Sequence, residues 1–324
     1  MKLQILIPQY KETEEIIKPL LDSIALQQNI DFREIGAIIV NDGTDVHLSE
    51  DFLKGYPFEI KYHLAEHGGV SAARDKAFEL ATAEYVMWCD ADDMFFNACG
   101  LWIVFHEMQG EGFDALTSVF VEETRHPETK DVIYINREMD STFVHGKIYK
   151  RQYLLDQNIR WNHALTIHED SFFNIQCLNL TPNVKYCMSP FYLWRWRDDS
   201  VCRHDPKYIL KTYRNMIDSN DALVDEFKKR RVLDKAKSFV AFLVYDAYYL
   251  MNKPEWINQE NKEYRDATEL RFKEYFLKHK KDWNEVPVQE KMQISQGVRG
   301  RTVMEGMRME KMTIDQWLDH IKEM

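Results

Sequence analysis

Between Leu3 and Trp88 short apolar runs alternate with helical patterns, and this alternation constrains the fold more than any other feature. The runs at 3–8 (LQILIP) and 35–40 (IGAIIV) have no polar side, as expected of strands covered on both faces. Residues 58–64 (FEIKYHL) alternate like a third strand, and 84–88 (EYVMW) form a fourth. Between the first two, Ile16, Ile17, Leu20, Leu21 and Ile24 recur at helical spacing, with Pro19 expected in the first turns of that helix. A second helix is expected over 71–83, opened by the Gly68–Gly69 turn. Strands joined by helices of this length cross over right-handed, so the expectation is an α/β fold. Its sheet is mainly parallel, with helices on both faces.

Beyond Asp93 the pattern changes. A helix is expected over 96–109, a hairpin from the alternating segments 115–123 and 132–138, a helix over 169–180 and short strands within 184–197. From about Pro206 the chain reads as successive helices, which sets the expected domains at 1–205 and 206–324. A chain of 324 residues with 45% hydrophobic residues can bury a substantial core. Its net charge of −11 argues against a surface that grips nucleic acid as a whole, though not against a local basic patch. The five cysteines contain no C-x-x-C pair and read as reduced thiols of a cytosolic protein. The N-terminal run does not read as a signal peptide, and the apolar stretch from Ser238 carries Asp246 and is too short to span a bilayer. A cytoplasmic protein, able to meet a membrane surface without inserting, is expected.

In an open α/β sheet, ligands bind beyond the carboxyl ends of the strands. Three polar clusters sit at such ends: Pro8-Gln9-Tyr10, Asn41-Asp42-Gly43 and Asp90-Ala91-Asp92-Asp93. On an extended chain Asp90 and Asp92 project the same way, and packed carboxylates are relieved by a cation between them. Oxygen ligands suit Mg²⁺ or Mn²⁺, and a diphosphate would complete the coordination. The plainer alternative is a solvated turn with Asp93 capping a helix. Asp42 reads as a turn residue or as an acceptor for a base N–H, and Tyr10 as core or as a stacking surface. The Gly68–Gly69 amides and the following helix start suit an anion. Arg74 lies one turn into that helix, where a surface cation is the simpler reading. Glu169 and Asp170 favour a helix start through its dipole. Further on, Arg195, Arg197, Arg203 and His204 could approach a diphosphate or, for His204, cap a metal site. Trp161, Trp194 and Trp196 pack in the core or line a sugar subsite.

The blocks ILIPQYKE, IIVNDGTD, HGGVSAARDKAFELATAEYVMWCDADD and HGKIYKRQYLLDQNIRWNHALTIHEDSFF, with YLWRWRDDSV downstream, resemble successive segments of family 2 glycosyltransferases with the GT-A fold. The resemblance spans roughly residues 3–180 and keeps the family's order; nothing after about 206 resembles a known family. It implies an inverting transferase that uses a nucleotide-sugar, with UDP the expected nucleotide, and a divalent metal, Mn²⁺ or Mg²⁺. It places Tyr10 and Asp42 at a uracil-type base, Asp90 near the ribose, Asp92 on the metal and Asp170 as general base. Pro8, Gly69, Arg74 and Ala91 complete the expected nucleotide-binding set. The chain departs from the family at Asn41, where Asp is frequent, and at His67 and Asp75, where Asn is frequent.

Two other functions compete. A phosphohydrolase of the aspartyl-phosphate type would carry its acidic motif after the first strand, where this chain has Pro-Gln-Tyr. A non-catalytic nucleotide-sugar or carbohydrate-binding protein would not need Asp42, Asp90, Asp92 and Asp170 together. The basic islands at 228–231, 278–283 and 299–308 are solvated helix faces or grips for a polyanionic acceptor: a teichoic-acid-like polymer, a lipid-linked phosphate or modified DNA. The helical region after 206 is expected to bind the acceptor or to form a homo-oligomer.

Overall fold

The apolar runs become adjacent parallel strands. In the computed structural model, which describes residues 1–110, 112–138, 140–198, 208–253, 256, 262–303 and 313–323, β1 (Leu3–Gln9) lies between β2 (Ile35–Asp42) and β4 (Tyr85–Trp88), and β3 (Glu59–Ala65) lies beyond β2. All three pairings are parallel. The two faces of β1 feed two different cores, as side-chain alternation requires. Leu3, Ile5 and Ile7 pack with Ile17, Leu20, Leu21 and Ile24 of α1 (Glu14–Ala25). Leu6 packs on the other face with Ala73, Ala77 and Phe78 of α3 (Val70–Leu80). Each fully buried aliphatic side chain contributes about 1.5–3 kcal/mol. Pro19 lies in the second turn of α1, within the first turns expected of it. A short helix, α2 (Glu50–Lys54), precedes β3.

The remaining elements of residues 1–200, which form one packing unit, are β5 (Met94–Phe95), α4 (Gly100–Glu107), β6 (Ala115–Ser118), β7 (Phe120–Arg125), β8 (Val132–Arg137), β9 (Lys147–Lys150), α5 (Arg151–Asp156), α6 (Glu169–Asn179), β10 (Val184–Cys187) and β11 (Tyr192–Trp194). The main sheet has seven strands in the order β10-β6-β9-β4-β1-β2-β3, and β9 runs antiparallel to both neighbours. A second sheet has the order β5-β11-β7-β8. The expected hairpin is therefore half right. β7 and β8 pair antiparallel, but the segment 115–123 divides between the sheets at Val119. The division is fixed by long-range bonds, Ser118 N–H to Gly146 C=O (2.9 Å) and Val119 N–H to Cys187 C=O (3.0 Å). Gly146 has φ +64°, and a β-carbon there would lie 2.4 Å from Ser118 Oγ, so the close approach requires glycine.

Residues 201–324 form the second unit, with helices α7 (Tyr208–Lys229), α8 (Leu233–Met251), α9 (Lys262–Glu285), α10 (Val288–Val303) and α11 (Ile314–Glu323). α8 packs against α7, α9 and α10. The first two basic islands are largely paired: Lys228 with Asp282, Arg230 and Lys229 with Glu226, and Lys278 with Asp221 and Asp225. The end of the third, 304–308, lies outside the described residues. No described helix is long and apolar enough to cross a membrane. Cys89, Cys99, Cys177 and Cys187 are thiols outside any disulfide, and Cys202 lies outside the described residues.

Candidate active site

The chain leaves β4 by turning rather than by extending. Asp93 N–H donates to Asp90 C=O (3.1 Å), so strand alternation does not set the directions of Asp90 and Asp92, contrary to the sequence reading. The turn instead sorts the carboxylates by environment. Asp93 is buried and accepts from the Tyr192 hydroxyl (2.6 Å) and from Arg195 N–H (2.9 Å), ruling out the helix-capping alternative. Asp90 and Asp92 each keep 33% of their side-chain surface in solvent. Ala91 between them is buried, fixing the turn. Loss of hydration and the neighbouring charges of Asp92 and Asp90 push Asp93 well above the usual carboxylate range. Burial, then Asp90, also raises Asp92. Burial alone would raise Asp90, but the charge and hydrogen bond of Arg74 bring it below its ordinary value.

Arg74 is a buried tie, not the surface cation that its position in the sequence suggested. One guanidinium nitrogen reaches Asp90 Oδ1 and another Glu169 Oε1, both at 3.0 Å, and its side chain is 5% exposed. The guanidinium lies 4.5 Å from the Trp161 ring, which in turn stacks on Phe173 at 4.3 Å. Trp161 is thus core packing beneath the site. This arrangement joins the tip of β4 to the start of α6, elements far apart in the sequence. His168 enters α6 with φ +63°, a left-handed conformation costly for a non-glycine residue. It delivers Glu169 and Asp170 to the first turn. Loss of hydration and the Glu169 charge, only partly countered by Arg74, push the Asp170 carboxyl up to about 7. Such a group gains and loses a proton near neutrality.

At the tip of β2, Asp42 is turned inward. Its carboxylate accepts from Gly68 N–H (2.8 Å), Gly69 N–H (3.0 Å) and His67 Nδ1 (2.9 Å). The two glycine amides that the sequence offered to an external anion are therefore held by Asp42, and Gly69 takes φ +84° to make the turn. The same contact leaves the His67 ring stacked on Tyr10, centroids 5.1 Å apart, with Tyr10 exposed beyond Pro8 at the end of β1. Asn41 also has an internal role, donating to Val46 C=O (2.9 Å) beside a Tyr62–Gln9 hydrogen bond.

From the other side, Arg197 meets Asp92 Oδ2 at 3.1 Å and Arg195 donates to Asp92 C=O at 3.2 Å. The indole N–H of Trp196 is used on Asp198. His204 lies outside the described residues. Sequence reasoning missed His145, which is buried behind the acidic turn with Nδ1 3.7 Å from Asp93 and without a hydrogen-bond partner. Burial pushes its imidazole down to about 4, so it is neutral. Ligand atoms of Asp90, Asp93 and His145 fall within 4.8 Å of one another. Asp93 has its oxygens taken by Tyr192 and Arg195, so Asp92, more open, is the better cation ligand. Its ionised form is disfavoured by burial and by Asp90, an imbalance a hard cation corrects, so the donor set fits a divalent ion. Among the described residues five side chains, Ser71, Arg74, His145, Arg151 and Trp161, hold a buried polar atom without a protein partner.

Comparisons with known proteins bear on the family and the fold that carry this site. The family model described as Glycosyl transferase family 2 matches residues 4–160. Glycosyltransferase GlyA of Streptococcus pneumoniae is 26% identical over 62% of this chain, which spans about a third (32%) of that relative's length. The teichoic acid poly(glycerol phosphate) polymerase of Staphylococcus epidermidis is 28% identical over 59% of the chain and 28% of its own length. Among solved structures, residues 1–349 of TarS from S. aureus superpose with a TM-score of 0.66, covering 100% of this chain and 90% of that one, and TarS 1–349 has also been solved with UDP and with UDP-GlcNAc. At 15% identity that likeness is one of fold, and the fold is GT-A. Residues 4–160 thus carry the match to glycosyl transferase family 2, and the family likeness of this chain rests on them.

Proposed function

We propose that the protein transfers a sugar from a UDP-sugar, with UDP-GlcNAc the first candidate, to a hydroxyl of a polymeric acceptor, with inversion at the anomeric carbon. The observation that carries this reading is the Arg74 bridge, which sets the Asp90–Asp92 tip beside a carboxyl poised near neutrality at Asp170. Asp170 takes the proton of the acceptor hydroxyl as its oxygen bonds to the anomeric carbon. The bond from that carbon to the diphosphate breaks in the same displacement, and UDP leaves. Attack opposite the leaving group inverts the centre and needs no covalent enzyme intermediate. Asp92, helped by Asp90, is the residue that would hold Mn²⁺ or Mg²⁺, whose chemistry is to stabilise charge on a departing diphosphate. The exposed Tyr10–His67 stack offers the base a flat surface. The UDP and UDP-GlcNAc complexes of TarS support the donor, and the teichoic acid polymerase relative supports a polyol-phosphate acceptor.

UDP release from UDP-GlcNAc with added Mn²⁺ and a polyol-phosphate acceptor tests the reading. Asp170→Asn should lower transfer by about 10²–10⁴-fold, the usual worth of a general base. Asp92→Ala should raise the Mn²⁺ concentration needed for half-maximal rate. Equal rates in wild type and both variants would sink the proposal.

A further inference from the structure

The loop that delivers Asp170 runs from the end of α5 at Asp156 to His168, and it is held at both ends by consecutive residues of α3. Arg74 holds the far end through Glu169. Asp75 holds the near end twice, accepting from Trp161 N–H through Oδ1 (3.3 Å) and meeting His163 Nε2 through Oδ2 (2.8 Å). The Asp75 side chain is 15% exposed, and His163 lies over it from the solvent side at 53%. Between the two clamps sits Trp161, its ring pressed between Phe173 and the Arg74 guanidinium. An asparagine, frequent in the family at position 75, would supply the same acceptor to Trp161 but no negative charge for His163.

We propose that Asp75 and His163 form a positioning pair that keeps the 157–168 loop closed over the start of α6, so that Asp170 stays poorly hydrated and aimed at the acceptor. This rests on the transferase reading above for its consequence in catalysis, not for its geometry. Neither residue touches Asp170; they act through Trp161 and the loop. The titratable groups that face Asp170 are Glu169, Arg74, Asp90, Lys147 and Tyr149, and none of them is removed by changing residue 75 or 163. What a loosened loop changes is access of water. Hydration is the largest influence on Asp170, so opening the loop moves its proton affinity back toward that of an ordinary carboxyl.

The test compares Asp75→Ala, Asp75→Asn and His163→Ala in the full chain. Asp75→Ala should lower kcat about 10- to 100-fold, the scale of a misplaced catalytic group, with the donor KM unchanged within twofold. The acid limb of its kcat/KM profile should move to lower pH. Asp75→Asn should recover most of the rate through the retained Trp161 contact, and His163→Ala should fall between. Amide hydrogen exchange over 157–173 supplies a readout independent of activity: it should quicken in Asp75→Ala and stay at the wild-type rate elsewhere in residues 1–200. Unchanged exchange over 157–173, or a lowered kcat with an unmoved acid limb, overturns the pair's role. Absence of UDP release by the wild type overturns the transferase reading instead, and exchange still decides the clamp.

Discussion

Both units bury charge, but they treat it in opposite ways. In residues 201–324, Asp221 accepts from His279 Nε2 (2.7 Å), Lys278 (2.6 Å) and Arg271 (2.7 Å). Arg271 also meets Asp218, and Lys228 donates to the other ring nitrogen of His279 at 3.0 Å. The ligand-like trio Asp221, Asp225 and His279 is thus neutralised from within, and nothing about it calls for a cation. In residues 1–200, three aspartates crowd one turn with Arg74 and Arg197 on its open carboxylates, and every unpartnered buried polar atom among the described residues lies in this unit. Buried charge alone therefore does not mark a site. Charge left in conflict at the strand ends of an α/β sheet makes a candidate.

The largest effect that tests this contrast is on stability. Removing one member of a satisfied buried network strands its partners and costs about 3–5 kcal/mol. Asp221→Ala should lower the unfolding free energy of the helical unit by that measure, read from its denaturant midpoint, while UDP release from the donor at temperatures where the chain stays folded keeps its wild-type rate. A loss of donor turnover without a loss of stability would mean that the C-terminal cluster is a site after all.

A second, smaller effect has opposite signs in the two units. The folded-state affinity of Asp170 for its proton is raised, to about 7, so the native state holds a proton that the unfolded chain has released, and stability from this group falls as pH rises from about 4 through 7. Burial would raise Asp221 too, but its bonds to His279, Lys278 and Arg271 drive it far below the ordinary range. Its contribution is present above pH 4 and lost as pH falls. Asp170→Asn should flatten the first dependence in unfolding measured from about pH 4 to 8, and Asp221→Asn the second in unfolding measured as pH falls from about 5 to 2. Matching slopes in the two variants would break the comparison.

The same contrast explains what the sequence could disclose. β1, β2, β3 and β4 and the helices at 70–80 and 169–179 are written in local apolar periodicity, so they could be read closely, the largest miss being the C-terminal end of the first of these helices, expected at 83 and found at Leu80. The candidate Asp42, Asp90, Asp92 and Asp170 stand at element ends, which periodicity also locates. What it does not carry is pairing across the chain. Arg74 looked like a surface residue because Asp90 and Glu169, which bury it, are 16 and 95 positions away. Asp93 looked like a cap because Tyr192 and Arg195 were not yet beside it. His145 carried one faint signal, a histidine just before the glycine of an apolar strand start. The strand 115–123 split between sheets because of partners at Gly146 and Cys187.

The smallest effect concerns the basic islands. Lys280 and Lys281 are exposed on α9, and Lys281 reaches only Glu285, at 3.8 Å. Exposed pairs of this kind contribute from nothing to about 1 kcal/mol, so Lys280→Gln with Lys281→Gln should shift stability by no more than about 0.5 kcal/mol. Donor hydrolysis should not change, because neither residue belongs to the unit that carries Asp92 and Asp170. Transfer separates the two readings of the island. A solvated face leaves the acceptor KM and its salt dependence as they are. A grip on a polyanion raises that KM and reduces the slope of its logarithm against log salt, since two fewer cations displace counterions from the polymer. The satisfied pairing elsewhere in this unit favours the solvated face. A clear change in slope would show that the helical unit, although internally settled, turns its remaining charge toward the acceptor.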